Sequence, residues 1–249
     1  MDSYLNLVIL LSNMAIIVSQ QTIDIKCNDK TRISMDKNIN KLIVVGQKNL
    51  KFPVNEIQLR PYCNLAFKTI DQVGVYNDKC LPKFGRDSAR VIMHAISAEL
   101  RAVCKLGRLT KRARELLTAA PCANAGLKNW QKCYQILVTK FTGIVNAPAK
   151  QRLPMGCCNF QHLIQCLTDE AENVKQCTRK TVDFVLKYLN KMIDPLLNLI
   201  CGDYGQPSDK CDAMVRLTPN ITKGQTTYKS FMMPLINLAI SIGDDPELE

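Results

Sequence analysis

Histidine is scarce in this sequence, and the common catalytic motifs are missing. Only two histidines, His94 and His162, occur among 249 residues. The chain has no Gly-x-Ser-x-Gly segment and no His-Glu-x-x-His segment, which removes the usual serine-hydrolase and zinc-hydrolase signatures. The sequence therefore predicts a non-enzymatic protein that acts by binding and uses no cofactor. A secreted enzyme of unrecognised type is kept as an alternative.

Long apolar runs are also missing beyond Gln20. The run Leu5–Ser19 is short for a membrane span and is typical of a signal-peptide core, so residues 1–20 are predicted to be a leader. The best later segment, Phe231–Ile242, is shorter still and contains Pro234. It is followed by acidic residues, whereas a lipid-anchor signal ends in an apolar tail. The sequence predicts a secreted protein that does not span a membrane.

Cysteine, by contrast, is abundant: the chain has 12, all of them after position 26. An even number of this size is typical of secreted proteins, because the reducing cytosol keeps thiols free. We therefore predict six disulfides and an extracellular location. Cys157 and Cys158 are adjacent and should bind different segments, while the rest of the connectivity stays open. The predicted disulfide residues are Cys27, Cys63, Cys80, Cys104, Cys122, Cys133, Cys157, Cys158, Cys166, Cys177, Cys201 and Cys211.

Hydrophobic periodicity from residue 84 onward predicts amphipathic helices. Apolar residues recur at spacings of three and four, the pattern of a helix with one buried face. Pro121 is predicted to end the helix before it. The predicted fold class is all-α, a disulfide-crosslinked bundle of about five to six amphipathic helices. These helices are expected at about 87–105, 110–120, 130–144, 155–168 and 178–200, with a short one after Ser230.

The domain organisation follows from where this periodicity begins and ends. Residues 21–62 lack it, and two short apolar segments around Gly46–Asn49 predict an irregular segment or a small hairpin. Residues 63–211 are predicted to form a cysteine-rich helical domain. Residues 212–249 form a C-terminal tail with a short apolar helix. Asn220 opens the only Asn-x-Thr sequon and is predicted to carry a glycan.

Two patterns among the cysteines have competing interpretations. Cys158, His162 and Cys166 recur at every fourth position, which would align three zinc ligands, but the usual close cysteine pairs of zinc sites are missing. We therefore favour disulfides and no metal. The same two successive spacings also occur twice, in 122–133–157 and in 166–177–201. They indicate either a duplicated helical hairpin or packing alone.

The chain is basic, with 33 lysines and arginines against 22 acidic residues and a net charge of +11. Such a charge attracts polyanions, and the secreted location favours sulfated glycans or anionic surfaces over nucleic acid. A solvated helix end is the simpler interpretation of the basic segment. The apolar helix faces also permit an extracellular carrier of an apolar ligand such as a lipid. The candidate polyanion-binding residues are Arg101, Lys105, Arg108, Lys111, Arg112 and Arg114.

Four short segments carry a resemblance to known proteins: CLPKF at 80–84, NAP at 146–148, GCCNFQHLIQC at 156–166 and CGDYGQPSDKC at 201–211. With them the chain resembles an uncharacterised family of secreted, cysteine-rich helical proteins of arachnids. More distantly it is similar to a group of haemolymph glycoproteins of insects. The resemblance covers about 63–211 and implies an extracellular, helical and disulfide-bonded protein. It transfers no active-site residue.

Overall fold

The computed structural model describes residues 25–47, 49–105, 107–204 and 208–243, and the predicted leader lies outside them. The described residues form eight α-helices and no strand, so the all-α prediction is confirmed while the expected five to six helices are too few. None of these helices is both long and apolar enough to cross a membrane. The helices are α1 Asp29–Leu42, α2 Glu56–Cys80, α3 Lys83–Val103, α4 Lys111–Ile144, α5 Ala149–Glu172, α6 Arg179–Ile200, α7 Asp209–Leu217 and α8 Met232–Gly243.

The predicted N-terminal hairpin is wrong, because the described part of residues 21–62 is largely helical. Asn28 begins α1 by accepting a hydrogen bond from the Thr31 N–H, and Asn55 begins α2 in the same way. The apolar segment expected to be a strand forms a short 3-10 helix, Val44–Gly46, with both valines buried. A buried apolar run of this length does not by itself distinguish a strand from a helical turn.

The second correction concerns Pro121, which lies inside α4 instead of ending a helix. Proline removes one helical hydrogen bond and costs about 3 kcal/mol in a helix interior. Here the neighbouring residues Ala119, Ala120, Cys122 and Ala123 are all buried, so tertiary packing offsets this cost. The two helices predicted at 110–120 and 130–144 are therefore one helix of 34 residues.

Helix α4 is the centre of the core. It packs on α3, α5, α6 and α8, so more than one of its faces is covered. Trp130, Leu137 and Ile144 are among the largest fully buried side chains. A helix covered on several sides needs apolar or small residues outside one stripe, which explains the additional buried alanines and glycines along this helix.

All 12 cysteines form disulfides, and the structure gives their connectivity. Cys157 and Cys158 bind different partners, as the sequence predicts. Because Cys158 and Cys166 are both oxidised, they are not available with His162 as zinc ligands. The pairs are Cys27–Cys80, Cys63–Cys104, Cys122–Cys177, Cys133–Cys166, Cys157–Cys201 and Cys158–Cys211.

The repeated cysteine spacing has a packing explanation. Cys122 and Cys133 lie on α4 and bind Cys177 and Cys166, so the two linked segments run in opposite directions. Two bridges between antiparallel segments favour a similar spacing on each side, and here the two spacings are equal. The helices around the two cysteine triplets, 122–133–157 and 166–177–201, differ. Cys177 lies before α6, whereas Cys133, at the same place in the other triplet, lies within α4. Packing therefore accounts for the first of the two repeated spacings.

The C-terminal segment is docked on the helical core. Its chain crosses α4 at Gly143, where a Cβ atom would clash with the Pro219 carbonyl oxygen, so glycine is required for this approach. Before α8, the buried Asp36 carboxylate accepts hydrogen bonds from the N–H groups of Lys229 and Ser230 at 2.6 and 3.0 Å. Phe231 donates its N–H to the Tyr134 hydroxyl at 3.1 Å. These contacts join α1 and α4 to α8.

Candidate functional site

A groove of about 480 Å³ lies between α2 and the loop that connects α3 to α4. The Cys63–Cys104 disulfide joins its two sides. Arg60 borders it on the α2 side, and Lys105 and Arg108 border it on the loop side. The groove therefore collects three cations from two separate parts of the chain.

Hydrogen bonds define the two helix ends that flank the loop. Cys104 ends α3 and donates its N–H to the Leu100 carbonyl. Gly107 has a φ of +78°, a left-handed conformation that favours glycine, and it separates Lys105 from Arg108. Thr110 then begins α4, accepting the Ala113 N–H while its hydroxyl donates to the Ala102 carbonyl. Hydrogen bonds therefore fix the helix ends on either side of the two basic residues.

The electrostatic balance of the groove is positive. Glu56 is the one carboxylate among the described residues that line it, against Arg60, Lys105 and Arg108. The salt bridges found between described residues include none of these three cations. All three side chains are exposed, so they can bind an anion without first breaking an internal pair.

The six basic residues predicted from the sequence separate into different environments. Lys105 and Arg108 line the groove, whereas the exposed Arg101, Lys111 and Arg114 do not. Arg114 donates to the Leu109 carbonyl oxygen at 2.9 Å. The groove therefore includes two of the six predicted basic residues.

Arg112 is placed inside the protein instead of on this surface. Its side chain is only 16% exposed and its guanidinium lies 3.1 Å from the Glu99 carboxylate. The same group lies over the rings of Phe184 and Tyr188, at 4.8 and 5.7 Å from their centroids. Lys191 contacts the other Glu99 oxygen at 3.4 Å. Arg112 therefore joins α4 to α3 and α6, and it is not a surface ligand for a polyanion.

Arg60 is the groove residue that the sequence analysis missed. It lies far before the basic segment in the chain, and no local pattern links the two. The signal that could have found it is the Cys63–Cys104 pairing, which brings α2 beside Lys105. That pairing is not readable from spacing, because twelve cysteines allow very many connectivities.

The two histidines occupy shallow, exposed positions. His94 borders an open depression with Arg90 and Lys191, beside Glu99, which is already bound by Arg112 and Lys191. His162 lines a recess of about 10 Å³ together with the Cys133–Cys166 bridge. Among the described residues, no group of three His, Cys, Asp or Glu side chains is arranged to hold a metal ion.

No protein-family model, curated protein or solved structure matches this chain. The groove and its charges are therefore the basis for a functional proposal.

Proposed function

We propose that this protein is a secreted, non-enzymatic binding protein that engages sulfated glycans through the groove between α2 and the α3–α4 loop. The observation that supports this function is the convergence of Arg60, Lys105 and Arg108 on one open groove with no ion pair of their own among the described residues. Sulfate groups carry a fixed negative charge, and the arginine guanidinium can bind their oxygens with two parallel hydrogen bonds.

The extracellular location in this proposal is supported by the disulfides. Six bridges join all 12 cysteines, a state that oxidising compartments maintain and the cytosol does not. The resemblance of residues 63–211 to secreted arachnid proteins supports the same location, and membership of that family remains part of the proposal. In this compartment sulfated glycans are abundant polyanions, whereas nucleic acid is not an expected partner.

The first test is retention on immobilised heparin at about 0.1 M salt, where charges separated by more than about 10 Å are screened. The variant Arg60→Ala/Lys105→Ala/Arg108→Ala is expected to lower affinity about tenfold, since three surface contacts of about 0.5 kcal/mol each sum to that factor. The matched control is Arg101→Ala/Lys111→Ala/Lys132→Ala, which removes the same charge outside the groove and keeps Arg114, because Arg114 hydrogen-bonds to the groove residue Leu109. Its affinity should fall by less than about threefold.

The control variant distinguishes heparin binding at the groove from attraction by the net charge of the protein. Equal losses for the two triple variants would mean that net charge alone attracts heparin, and the groove would no longer be the binding site. Binding to vesicles of anionic lipid provides the second comparison. If the groove variant loses vesicle binding but keeps heparin binding, the occupant is an anionic surface and the sulfated-glycan proposal is wrong.

Glycosylation at Asn220 is a further prediction of the secreted state. Asn220 is exposed and lies in the segment between α7 and α8, so its side chain is accessible in the folded protein. Protein secreted from animal cells is expected to lose mass in one step when treated with peptide N-glycosidase. Asn220→Gln should abolish this step, and Thr222→Ser, which keeps the sequon, should preserve it. An unchanged mass of the wild-type protein would contradict the prediction.

A further inference from the structure

One edge of helix α2 lines the basic groove with a regular series of polar residues. Glu56, Arg60 and Asn64 recur at every fourth position, so they lie about 6 Å apart along the helix axis. All three are exposed, whereas Leu59 and Cys63 between them are buried and belong to the floor of the groove. The α2 side therefore presents an anion, a cation and a neutral amide in order along about 12 Å.

The opposite side adds two cations, and the groove is large enough for several sugar rings. Lys105 and Arg108 border it from the α3–α4 loop, and Val103 and Leu109 are apolar lining residues on that side. A cavity of about 150 Å³ holds one benzene ring, so the 480 Å³ of this groove gives room for about three six-membered rings. Sugar rings have apolar C–H faces and polar edges, which match an apolar floor between charged sides.

Glu56 is the lining residue that a site for anions alone does not explain. It is the one carboxylate among the described lining residues and lies one helical turn from Arg60. Two like charges about 6 Å apart in water repel enough to change an affinity about threefold, so a sulfate beside Glu56 weakens binding. The carboxylate also stabilises the N-terminus of α2, because it lies in the first turn. That role affects stability but not the preference among ligands, so an experiment can separate the two.

We propose that Glu56 is a specificity-determining residue of the groove, which selects sulfated glycans that carry a free amino group. This inference rests on the proposed glycan binding. The protonated amine pairs with the Glu56 carboxylate, while sulfates on the same or the next sugar bind Arg60 and, across the groove, Lys105 and Arg108. An acetyl group on the nitrogen removes this charge pair, and a sulfate on the nitrogen places a like charge beside Glu56.

The test compares two heparin-derived oligosaccharides that differ only at nitrogen, one with free amino groups and one with N-acetyl groups. Their affinities for wild-type protein, Glu56→Gln and the control Glu172→Gln are measured by titration calorimetry at about pH 6.5, where sugar amines are protonated and carboxylates are ionised. Glu172 is exposed at the end of α5 and does not line the groove, so its replacement makes the same change in net charge elsewhere.

The measured quantity is the ratio of the two affinities, free amine to N-acetyl. This ratio is expected to be about threefold lower in Glu56→Gln than in wild type, since an exposed ion pair contributes about this factor. Glu172→Gln should keep the wild-type ratio. Glu56→Gln should also bind N-sulfated heparin about threefold more tightly than wild type, because the like charge in the groove is gone.

Three outcomes would overturn selection by Glu56, and they differ in what they leave standing. An unchanged ratio in Glu56→Gln, with heparin binding still dependent on Arg60, Lys105 and Arg108, would leave a glycan site without this selectivity. Equal falls of the ratio in Glu56→Gln and Glu172→Gln would assign the preference to net charge. Failure of every oligosaccharide to bind wild-type protein would remove the glycan-binding function itself, and this inference with it.

Discussion

Replacing Asp36 with alanine is expected to lower the free energy of unfolding by about 3–4 kcal/mol, because it leaves three donors without their acceptor. The side chain is 2% exposed and accepts from the Lys229 N–H, the Ser230 N–H and the Ser230 hydroxyl. Hydrogen bonds to a charged group contribute about 1.5–3 kcal/mol each, and three on one carboxylate are not fully additive. Denaturant unfolding with the disulfides intact measures the effect.

The same change has a local signature at the C-terminal segment. Asp36 lies on α1, and its bonded partners lie near the other end of the chain, just before α8. We expect amide hydrogen exchange of α8 to accelerate in Asp36→Ala more than exchange in α4 or α5. Local opening requires less free energy than global unfolding and should appear first where the anchoring contact is lost.

Asp29 provides the matched control, since it is also an aspartate of α1. Its side chain is 84% exposed and forms an ion pair with Arg32 at 2.9 Å. Asp29→Ala should therefore cost only about 0.5 kcal/mol, the usual range of an exposed pair at a helix N-terminus. Similar losses for the two variants, or unchanged exchange in α8 of Asp36→Ala, would contradict the role assigned to Asp36.

The helices with a single buried stripe were predictable from the sequence. The apolar stripe predicted for residues 87–105 is buried at each position in α3, because a periodic pattern of three and four fits only one helix face. The sequence-based predictions were wrong where tertiary packing overrides the local conformational preference. Pro121 is itself exposed, but the residues on either side of it are buried, as are Val44 and Val45. The elements that pack on these residues, which the sequence does not reveal, decide the local conformation.

The candidate site was only half predictable for a related reason. Lys105 and Arg108 are close in the chain and could be found as a charge cluster. Arg60 and the internal placement of Arg112 depend on which helices meet, and this is fixed by the Cys63–Cys104 bridge and by Glu99 on α3. A local charge pattern therefore indicates that a basic surface exists, but tertiary contacts decide which of its members can bind a ligand.

The second large effect is expected when the adjacent bridges Cys157–Cys201 and Cys158–Cys211 are both removed. The loss of stability should then exceed the sum of the losses in the two single-bridge variants. A disulfide stabilises mainly by restricting the unfolded chain, and its effect grows with the length of the loop that it closes. Cys158 and Cys211 are 53 residues apart. With Cys157–Cys201 intact, however, the unfolded chain already connects them through a path of about 12 residues, so removal of Cys158–Cys211 releases a short loop.

These loop lengths translate into different free energies. Replacing Cys158 and Cys211 with alanine should cost about 3 kcal/mol from the unfolded state, the value for a loop of about 12 residues. Once Cys157–Cys201 is also absent, the same replacement releases the full loop and costs about 4 kcal/mol. The variant lacking both bridges should therefore be about 1 kcal/mol less stable than the sum of the two single-bridge variants predicts.

Cys27–Cys80 supplies the control for this non-additivity. Its ends are also 53 residues apart, and the detour through Cys63–Cys104 is longer than the direct chain, so no other bridge shortens its loop. Removing it together with Cys158–Cys211 should be additive within about 0.5 kcal/mol. Denaturant unfolding of the alanine variants and the wild type measures both cycles. Additivity in both would mean that the adjacent bridges do not share a loop in the unfolded chain and that each stabilises the native packing on its own.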